Sequence, residues 1–559
     1  MVSSFWKPAA YRDGTLYDAV RASAQRYPDR IAYKFMGKSV TYRAFLSEID
    51  RAATALVSLG VEPDEIVCLA MPNVPQAIIF FYAVNRVGAV ANMIHPLSSA
   101  QELRTFVNRV HAKTILIMDQ FYDTLRSVRA QTELKTVIVA GIGEALPAIK
   151  KLPYALGEGR RTKKLGKGEP ILRFREFLSL GRSAAGLPDI GDRTDRLAVI
   201  LHSGGTTGKI KGVCHSNRSL NASAVQTDAA VGLHPGEKML SVMPIFHGNG
   251  LITGIHLMLL TGGCCVLIPR FSPSSYVRDL LKNKCDYISA VPTLFEKLME
   301  AKQIRNAELS FLHGVFSGGD CLSVDLQNRI DRFLREHHSP TVVRQGYGMT
   351  EGVAACTLNP ETGRKLGSAG VPLPDVTLKI VEPGTDRELP CGEVGEIVFS
   401  SVTNMIGYYE DADETALVKK LHADGRTYIH SGDLGSVDAD GFLFFRGRIK
   451  RMIVTNGYNV FPLDLENTIE RHPAVKRCCV IGVPDPVRME KTVACIVLRE
   501  GFTGDETMRR ELDAYFRRQI ARYAVPREIR FLADLPRTRV GKVDYAALIG
   551  QCADGSGKK

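Results

Sequence analysis

Short apolar runs alternate with segments of helical period through the first half of the chain. That alternation restricts the fold more than any other feature. Thr41 stands where a helix would be capped, and Leu46, Ile49, Ala53 and Leu56 follow at intervals of three and four. The run Ile66 to Met71 reads as a buried strand. Ser99, with Glu102 three residues on, opens a further helix as a capping box, and Thr114 to Met118 is the next strand. Such alternation predicts an α/β sheet with helices on its faces. At 559 residues the chain exceeds one ordinary domain. Its last part reads as a second, small α+β unit. Val475 to Gly482, Lys491 to Leu498 and Ile529 to Leu532 are strands, and Met508, Leu512, Tyr515, Phe516 and Ile520 line one helical face. The joint is expected at Arg446-Gly447-Arg448-Ile449-Lys450, dividing residues 1–447 from 448–559.

With 45% hydrophobic and 24% charged residues, the chain is neither disordered nor fibrous. The twelve cysteines show no CxxC spacing. Two adjacent pairs, Cys264-Cys265 and Cys478-Cys479, would point to opposite faces of a strand, so the cysteines read as small buried hydrophobes in a reducing compartment. The start, MVSSFWKPAAYRDG, carries no secretory pattern, and the final GSGKK is no peroxisomal address. From Met239 to Pro269 there is no charge, but Pro244, Gly248, Gly250, Gly262 and Gly263 interrupt the run. It reads as a buried strand–loop–helix–strand unit rather than a bilayer span. A cytoplasmic protein is expected. The net charge of +12 favours polyanionic partners such as nucleotides and polyphosphate cofactors. Half of it falls between Lys150 and Lys167, where seven basic residues face one acid, Glu158. Residues 145–170 read as a solvated surface loop, with peripheral contact to an acidic membrane through 150–167 as the alternative. The stretch lacks the interleaved aromatics of a nucleic-acid platform.

Leu197 to Leu201 is a strong strand that runs straight into Ser203-Gly204-Gly205-Thr206-Thr207-Gly208-Lys209-Ile210-Lys211-Gly212. Small residues let backbone N–H groups approach phosphate oxygens, hydroxyls add donors, and lysine adds charge. On its own, such a turn is more often a plain loop than a phosphate site. A Walker A loop needs four residues between its first glycine and the Gly-Lys pair, then Ser or Thr. Here three residues separate Gly204 from Gly208, and Ile210 follows Lys209.

SGGTTGKIKG resembles the phosphate loop of the AMP-binding, adenylate-forming superfamily, which comprises acyl-CoA synthetases, peptide-synthetase adenylation domains and beetle luciferase. Ile210 replaces the usual proline, while the glycines, hydroxyls and Lys211 remain. The resemblance implies that Ser203, Gly204, Gly205, Thr206, Thr207, Gly208 and Lys211 hold the ATP phosphates. Gly346-Tyr347-Gly348-Met349-Thr350-Glu351 looks like the family's YGxTE segment. It implies the Tyr347 ring near adenine, Thr350 on phosphate, and Glu351 with Thr206 on Mg²⁺, for which a carboxylate is the fitting donor. Ser317-Gly318-Gly319-Asp320 resembles the loop beside adenine and the acyl pocket. Ser431-Gly432-Asp433 resembles the segment whose aspartate accepts from the ribose hydroxyls. Gly447-Arg448-Ile449-Lys450 resembles the hinge motif, with Arg448 on ribose or phosphate and Lys450 as pivot. Where this chain has Arg451 the family often has an acid. Asn456-Gly457-Tyr458-Asn459-Val460 resembles the loop that lines the thiol tunnel, so Gly457, Tyr458 and Asn459 would face CoA. Pro536-Arg537-Thr538-Arg539-Val540-Gly541-Lys542 resembles the last motif, whose lysine reaches the active site. The matches run from about Leu197 to Lys542.

The fold so implied is a large N-terminal domain of layered α/β subdomains with a small β-barrel-like part, followed by a small, mobile α+β C-terminal domain. The chemistry implied is activation of a carboxylic acid by ATP to an acyl-adenylate, then transfer to CoA, with Mg²⁺ assisting. Lys542, Thr350, Glu351 and His247 would be catalytic. Phe246, His247, Gly248, Gly250, Val291 and Gly318 would form the acyl pocket. In amino-acid-activating relatives an Asp stands at the place of His247. A histidine supplies no fixed negative charge there, so an α-amino acid is disfavoured; His247 either gates the pocket or is a buried structural histidine. Gly248, Gly250 and Gly254 are expected to leave room for a tail, with Thr253, Ile255, Val291 and Leu294 as lining. A medium- or long-chain fatty acid is favoured over an aryl or steroid acid, and free CoA over an acyl carrier protein as acceptor. Other classes are an inactive nucleotide-binding regulator and a luciferase-like oxygenase. Binding of nucleic acid is not expected, and the chain would be a monomer or homodimer.

Overall fold

Continuous apolar runs become strands buried on both faces. In the computed structural model, which describes residues 5–156, 171–182, 187, 189–204, 210–455, 458–485, 488–537 and 543–553, these runs assemble two large, mostly parallel sheets. In the eight-stranded sheet, Ile66–Ala70 lies between Val90–Met93 and Thr114–Met118. Leu197–Gly204 lies beyond the former, and Thr136–Ala140 and Leu172–Arg173 beyond the latter, all parallel. The sequences TILIM and TVIVA carry no polar alternation because helices cover both sides. Ile210–Ser216 folds back antiparallel on Leu197–Gly204 and carries Gly407–Tyr408 at the edge.

The nine-stranded sheet has six parallel strands in the order Val343–Gly348, Gly314–Ser317, Tyr287–Ala290, Lys238–Ser241, Cys264–Leu267 and Ile31–Phe35. Antiparallel strands finish both edges. The charge-free stretch from Met239 to Pro269 spans two of these strands and the helical turns between Gly248 and Thr261. Among the described residues no helix is long and apolar enough to cross a membrane.

What joins the two sheets is a helical layer with almost no polar face. In the helix Pro75–Arg86, eleven of twelve residues are buried. A helix that is apolar all round has to be enclosed. Its core includes Val67, Leu69 and Leu116 from one sheet and Tyr33, Met239 and Cys265 from the other. Local signals agree with this packing. Thr41 accepts from the Ala44 N–H at the start of Tyr42–Ser58, and Ser99 with Glu102 forms the full capping box of Ala100–Arg109.

Two smaller sheets follow. Thr377–Val381, Gly395–Ser400, Thr427–Val437, Lys419–Leu421 and Leu443–Arg448 pair antiparallel where the barrel-like part was expected. Tyr458–Val460, Ile453–Thr455, Met489–Leu498 and Val475–Asp485 form the last sheet with Glu528–Phe531, and the helix Glu506–Gln519 packs Met508, Leu512 and Phe516 onto it. Between Arg448 and Ile453 there is one short 3₁₀ turn, Ile449–Arg451. All twelve cysteines are free. Cys478 and Cys479 enter two different cores, as adjacent strand positions require.

The basic stretch departs from the expected loop. Residues Ala148–Leu156 are helical despite Pro153, with Ile149, Leu152 and Leu156 exposed at 84%, 69% and 56%. The Gly, Pro and Lys/Arg content obscured their i, i+3, i+7 spacing. Residues 157–170 lie outside the described residues.

Because the helix Pro75–Arg86 holds both sheets, Phe81→Ala is expected to cost about 3–5 kcal/mol. Leu421→Ala, at a side chain 72% exposed, should stay within about 0.5 kcal/mol. Urea unfolding midpoints of the two variants check this.

Candidate functional site

Four parallel strands of the nine-stranded sheet end on one cavity. Beyond Ser241 come Met243, Pro244, Phe246, His247 and Gly248, beyond Ala290 Val291 and Leu294, beyond Ser317 Gly318 to Cys321, and at the end of Val343–Gly348 comes Met349 to Glu351. All of these line a single cavity of about 3290 Å³. Ligands of open α/β sheets bind outside the carboxyl ends of strands. The third sheet and the C-terminal unit close the cavity from other sides.

At its phosphate end stands Lys211, the strand partner of Ser203. Its ammonium lies 2.5 Å from Glu414 Oε2 and 4.7 Å from the centre of the Tyr408 ring. The Tyr408 hydroxyl donates to Glu351 Oε1 at 2.8 Å, and Glu351 is buried. Burial and the Glu351 carboxylate hold the Tyr408 phenol well above its ordinary pKa. Thr350 is fixed from behind by His215, whose Nε2 donates to the Thr350 carbonyl at 2.7 Å. Burial pushes the pKa of His215 down to about 4, so it stands neutral. Val353 follows with φ +70°, an uncommon conformation for a β-branched residue and a local strain beside Glu351. Of the expected phosphate residues, Ser203, the Gly204 backbone, Lys211, Thr350 and Glu351 are described; Gly205, Thr206, Thr207 and Gly208 lie outside the described residues.

The nucleotide end is built by register. Asp433 and Arg448 are cross-strand partners, with Arg448 Nε 3.3 Å from Asp433 Oδ1. The Tyr347 hydroxyl donates to Asp433 Oδ2 at 2.9 Å. Burial first, and then Asp433, keep this phenol protonated. Gly319, Asp320, Gly346, Tyr347, Gly348 and Met349 line the same region. Gly348 is required for close approach, since a Cβ there would lie 1.7 Å from the Ala354 carbonyl oxygen.

On the acid side Phe246, His247, Gly248, Val291 and Gly318 line the cavity, with Thr253 and Leu294. The Phe246 ring is flanked by His247 at 4.8 Å and His95 at 4.5 Å between centroids. The expected reason for the glycines needs correction. A Cβ at Gly248 would lie 1.7 Å from the Val353 carbonyl oxygen, and one at Gly250 2.0 Å from that of Pro244. These two glycines admit backbone, not substrate, and neither Gly250 nor Ile255 is in the lining. The room lies further on, where Met36, Phe121, Ile142, Leu146 and Tyr154 extend the wall.

From the C-terminal unit, Arg537 and Val543, on either side of 538–542, line the cavity with Lys450. Lys542 itself, like Gly457, lies outside the described residues. Tyr458 and Asn459 are exposed and away from the cavity, Tyr458 stacking on Tyr523 at 4.7 Å. Arg477 pairs with Glu296, and Arg499 lies 3.5 Å from Asp325, across to the large domain. Arg451, where the family often has an acid, has its own partners: Glu466 at 2.9 Å and the Tyr545 hydroxyl at 2.8 Å. Sequence reading missed His95, His215, Tyr408 and Glu414. Only the last two offered a signal, as part of the run Gly407 to Thr415, where tyrosines precede a cluster of acids.

The description AMP-binding enzyme matches residues 20–409, and AMP-binding enzyme C-terminal domain matches 464–542. A long-chain-fatty-acid–CoA ligase of Escherichia coli O6:H1 is 30% identical over 540 residues, which is 95% of this chain and 93% of the relative. A probable 4-coumarate–CoA ligase of Dictyostelium discoideum is 28% identical over 508 residues, 89% of this chain and 87% of its own. The ATP-bound structure of MatB from Rhodopseudomonas palustris superposes with a TM-score of 0.83 at 24% identity, over 97% of this chain and 99% of its own. At that identity the likeness speaks for the fold.

Tyr347→Phe removes one donor from Asp433 and leaves Arg448 in place. The expected outcome is a KM for ATP raised about three- to tenfold, as the loss of one hydrogen bond of roughly 1 kcal/mol gives, with the melting temperature little changed. Initial rates over an ATP titration and a thermal melt check it.

Proposed function

The chain belongs to the family of AMP-binding enzymes and is an AMP-forming acid–CoA ligase; from that premise we propose that its acid is a medium- or long-chain fatty acid and that its acceptor is free CoA. The observation that carries the reading is the cavity beyond Phe246 and His247, which continues along Met36, Phe121, Ile142 and Leu146 with no fixed negative charge among these side chains. Such a wall suits an alkyl tail and offers nothing to an α-ammonium. The basic excess of the chain suits CoA, which carries three phosphate groups.

A carboxylate is a poor acyl donor because oxide would have to leave. Attack on the α-phosphate of ATP expels pyrophosphate and makes AMP the leaving group, which the CoA thiol then displaces. The first half needs positioned reactants and positive charge more than covalent help. In this reading Lys542 bridges the attacking carboxylate and the α-phosphate, and Lys211 with Thr207 holds the pyrophosphate as it forms. Asp433 accepts from the ribose hydroxyls, with Arg448 beside it and the Tyr347 ring near adenine. The site is also an oxygen-donor set: the buried Glu351 carboxylate fits a hard divalent cation such as Mg²⁺. Glu351 and Thr206 would hold it, and the ion would supply charge that screens the phosphates. For the second half the small domain turns about Lys450, so that Gly457, Tyr458 and Asn459 replace Lys542 at the cavity.

The helix Ala148–Leu156 supports one addition, peripheral contact with an anionic bilayer. Its exposed Ile149, Leu152 and Leu156 share one face, while Lys150, Pro153 and Tyr154 line the cavity. Lys151, Arg173 and Arg175 are exposed nearby in sequence, and the chain after the helix is basic. Apolar insertion plus attraction to acidic headgroups is how such helices bind.

Acid-dependent exchange of pyrophosphate into ATP, measured with fatty, aryl, steroid and amino acids, tests the substrate. For fatty acids kcat/KM is expected to rise about fourfold per added methylene until the cavity ends, as roughly 0.8 kcal/mol per buried CH₂ implies. Exchange driven only by aryl or amino acids would overturn the reading. For the bilayer contact, Ile149→Ser with Leu152→Ser should abolish cosedimentation with anionic vesicles and leave exchange on a soluble short-chain acid intact.

A further inference from the structure

The phosphate end holds one described lysine against a carboxylate and an aromatic ring. Lys211 Nζ meets Glu414 Oε2 at 2.5 Å and lies 4.7 Å from the centre of the Tyr408 ring, whose hydroxyl donates to Glu351. Lys211, Tyr408, Glu414 and Glu351 all line the cavity. The side chains of Lys211 and Glu414 are 15% and 33% exposed, so this is a partly desolvated pair rather than a surface contact. Hydrogen bonds link the segments around it. Arg109 donates to the carbonyls of Ile210 and Tyr409, each at 3.0 Å, tying the strand that carries Lys211 to the segment that leads to Glu414. Asp411 caps the helix Ala412–Val418, accepting from the Glu414 N–H, and the Tyr408 N–H donates to Thr415 Oγ1 at 2.9 Å. Glu414 is therefore held at this place by the backbone around it.

We propose that Glu414 is the resident counter-ion of Lys211, which the polyphosphate displaces on binding and which reclaims the lysine as pyrophosphate leaves. This rests on the reading that Lys211 grips the β- and γ-phosphates. Without nucleotide, a half-buried ammonium would otherwise lack a full charge partner, which is costly. With a triphosphate bound, the lysine takes a more highly charged partner, and the Glu414 carboxylate faces phosphate as a like charge. That repulsion weakens both ATP and pyrophosphate. It falls harder on pyrophosphate, which carries all of its charge at this end, whereas ATP keeps part of its charge on the α-phosphate further away. Glu414 thus sets how readily the first product departs and how strongly it inhibits.

Glu414→Gln keeps the shape and removes the charge. Inhibition of the full-length enzyme by pyrophosphate, competitive with ATP, is expected to tighten about five- to tenfold, the scale of one charge-assisted contact. The KM for ATP should fall by less, and Glu414→Asp should restore most of the wild-type inhibition constant. Glu414→Ala, as a second variant, should tighten inhibition in the same direction. In a Lys211→Met background, Glu414→Gln should tighten inhibition by no more than the residual repulsion, well short of the effect with the lysine present. If Lys211→Met weakens pyrophosphate while neither Glu414→Gln nor Glu414→Ala tightens it, the counter-ion role is wrong and the reading of Lys211 survives. If Lys211→Met leaves pyrophosphate binding unchanged, the reading of Lys211 itself fails. A raised Mg²⁺ requirement in Glu414→Gln, with weaker pyrophosphate binding, would make Glu414 a metal ligand and overturn the proposal.

Discussion

A helix with no polar face cannot exist at a surface, and Pro75–Arg86 is such a helix. Its sequence forces an enclosing partner on every side; the helices Leu16–Arg26 and Tyr42–Ser58 and strands of the eight-stranded sheet pack against it, in a core shared with the nine-stranded sheet. Once both are held against this layer, the ends of their strands share one space. The carboxyl ends of four strands from one sheet and the paired strands Leu197–Gly204 and Ile210–Ser216 of the other then open onto the same cavity. The site is a consequence of that clamp, because its loops need no further device to bring them together.

Within the site, positions are set by register more than by side-chain reach. Asp433 opposes Arg448, and Ser203 opposes Lys211, because antiparallel ladders place them so. Side chains then finish the electrostatics. The Tyr347 hydroxyl engages one oxygen of Asp433 and the Tyr408 hydroxyl one oxygen of Glu351, so each carboxylate is oriented by a phenol. Phenols do this without adding charge. A lysine in either place would neutralise the carboxylate that the proposed ribose or cation contact needs.

Much of this was legible in the chain. The helix that starts at Thr41, the capping box at Ser99 and the strand Thr114–Met118 follow from local chemistry, and so do the opposed cysteines Cys478 and Cys479. The family was legible because ordered motifs are improbable by chance. What was not legible depends on contacts distant in sequence. Glu414 meets Lys211 across 203 residues, and His215 reaches the Thr350 carbonyl across 135. Nothing local marks His215, and the acid-rich run around Glu414 does not say what it meets. Gly248 misled for a related reason: a glycine in sequence looks like space, and only the fold shows that the Val353 backbone fills it.

The joint between the domains shows which contacts a rotation about Lys450 would have to break. Arg446 reaches Asp464 at 2.7 Å across the turn, and Arg499 lies 3.5 Å from Asp325; these side chains are a third or more exposed. Exposed pairs of that kind are worth at most about 1 kcal/mol each and re-form readily with water. Arg477 and Glu296 are better buried, at 19% and 9%, and their separation is the larger cost. Arg451 differs from all of these. Glu466 and Tyr545, its partners, lie on its own side of the turn, and Tyr545 follows closely on residues 538–542. A rotation would leave that cluster intact. Tyr545 would therefore stay with Arg451 while the pairs facing the large domain are exchanged. In such a rotation the cluster of Arg451, Glu466 and Tyr545 would travel as one piece, because the carboxylate that Arg451 needs is supplied from its own side.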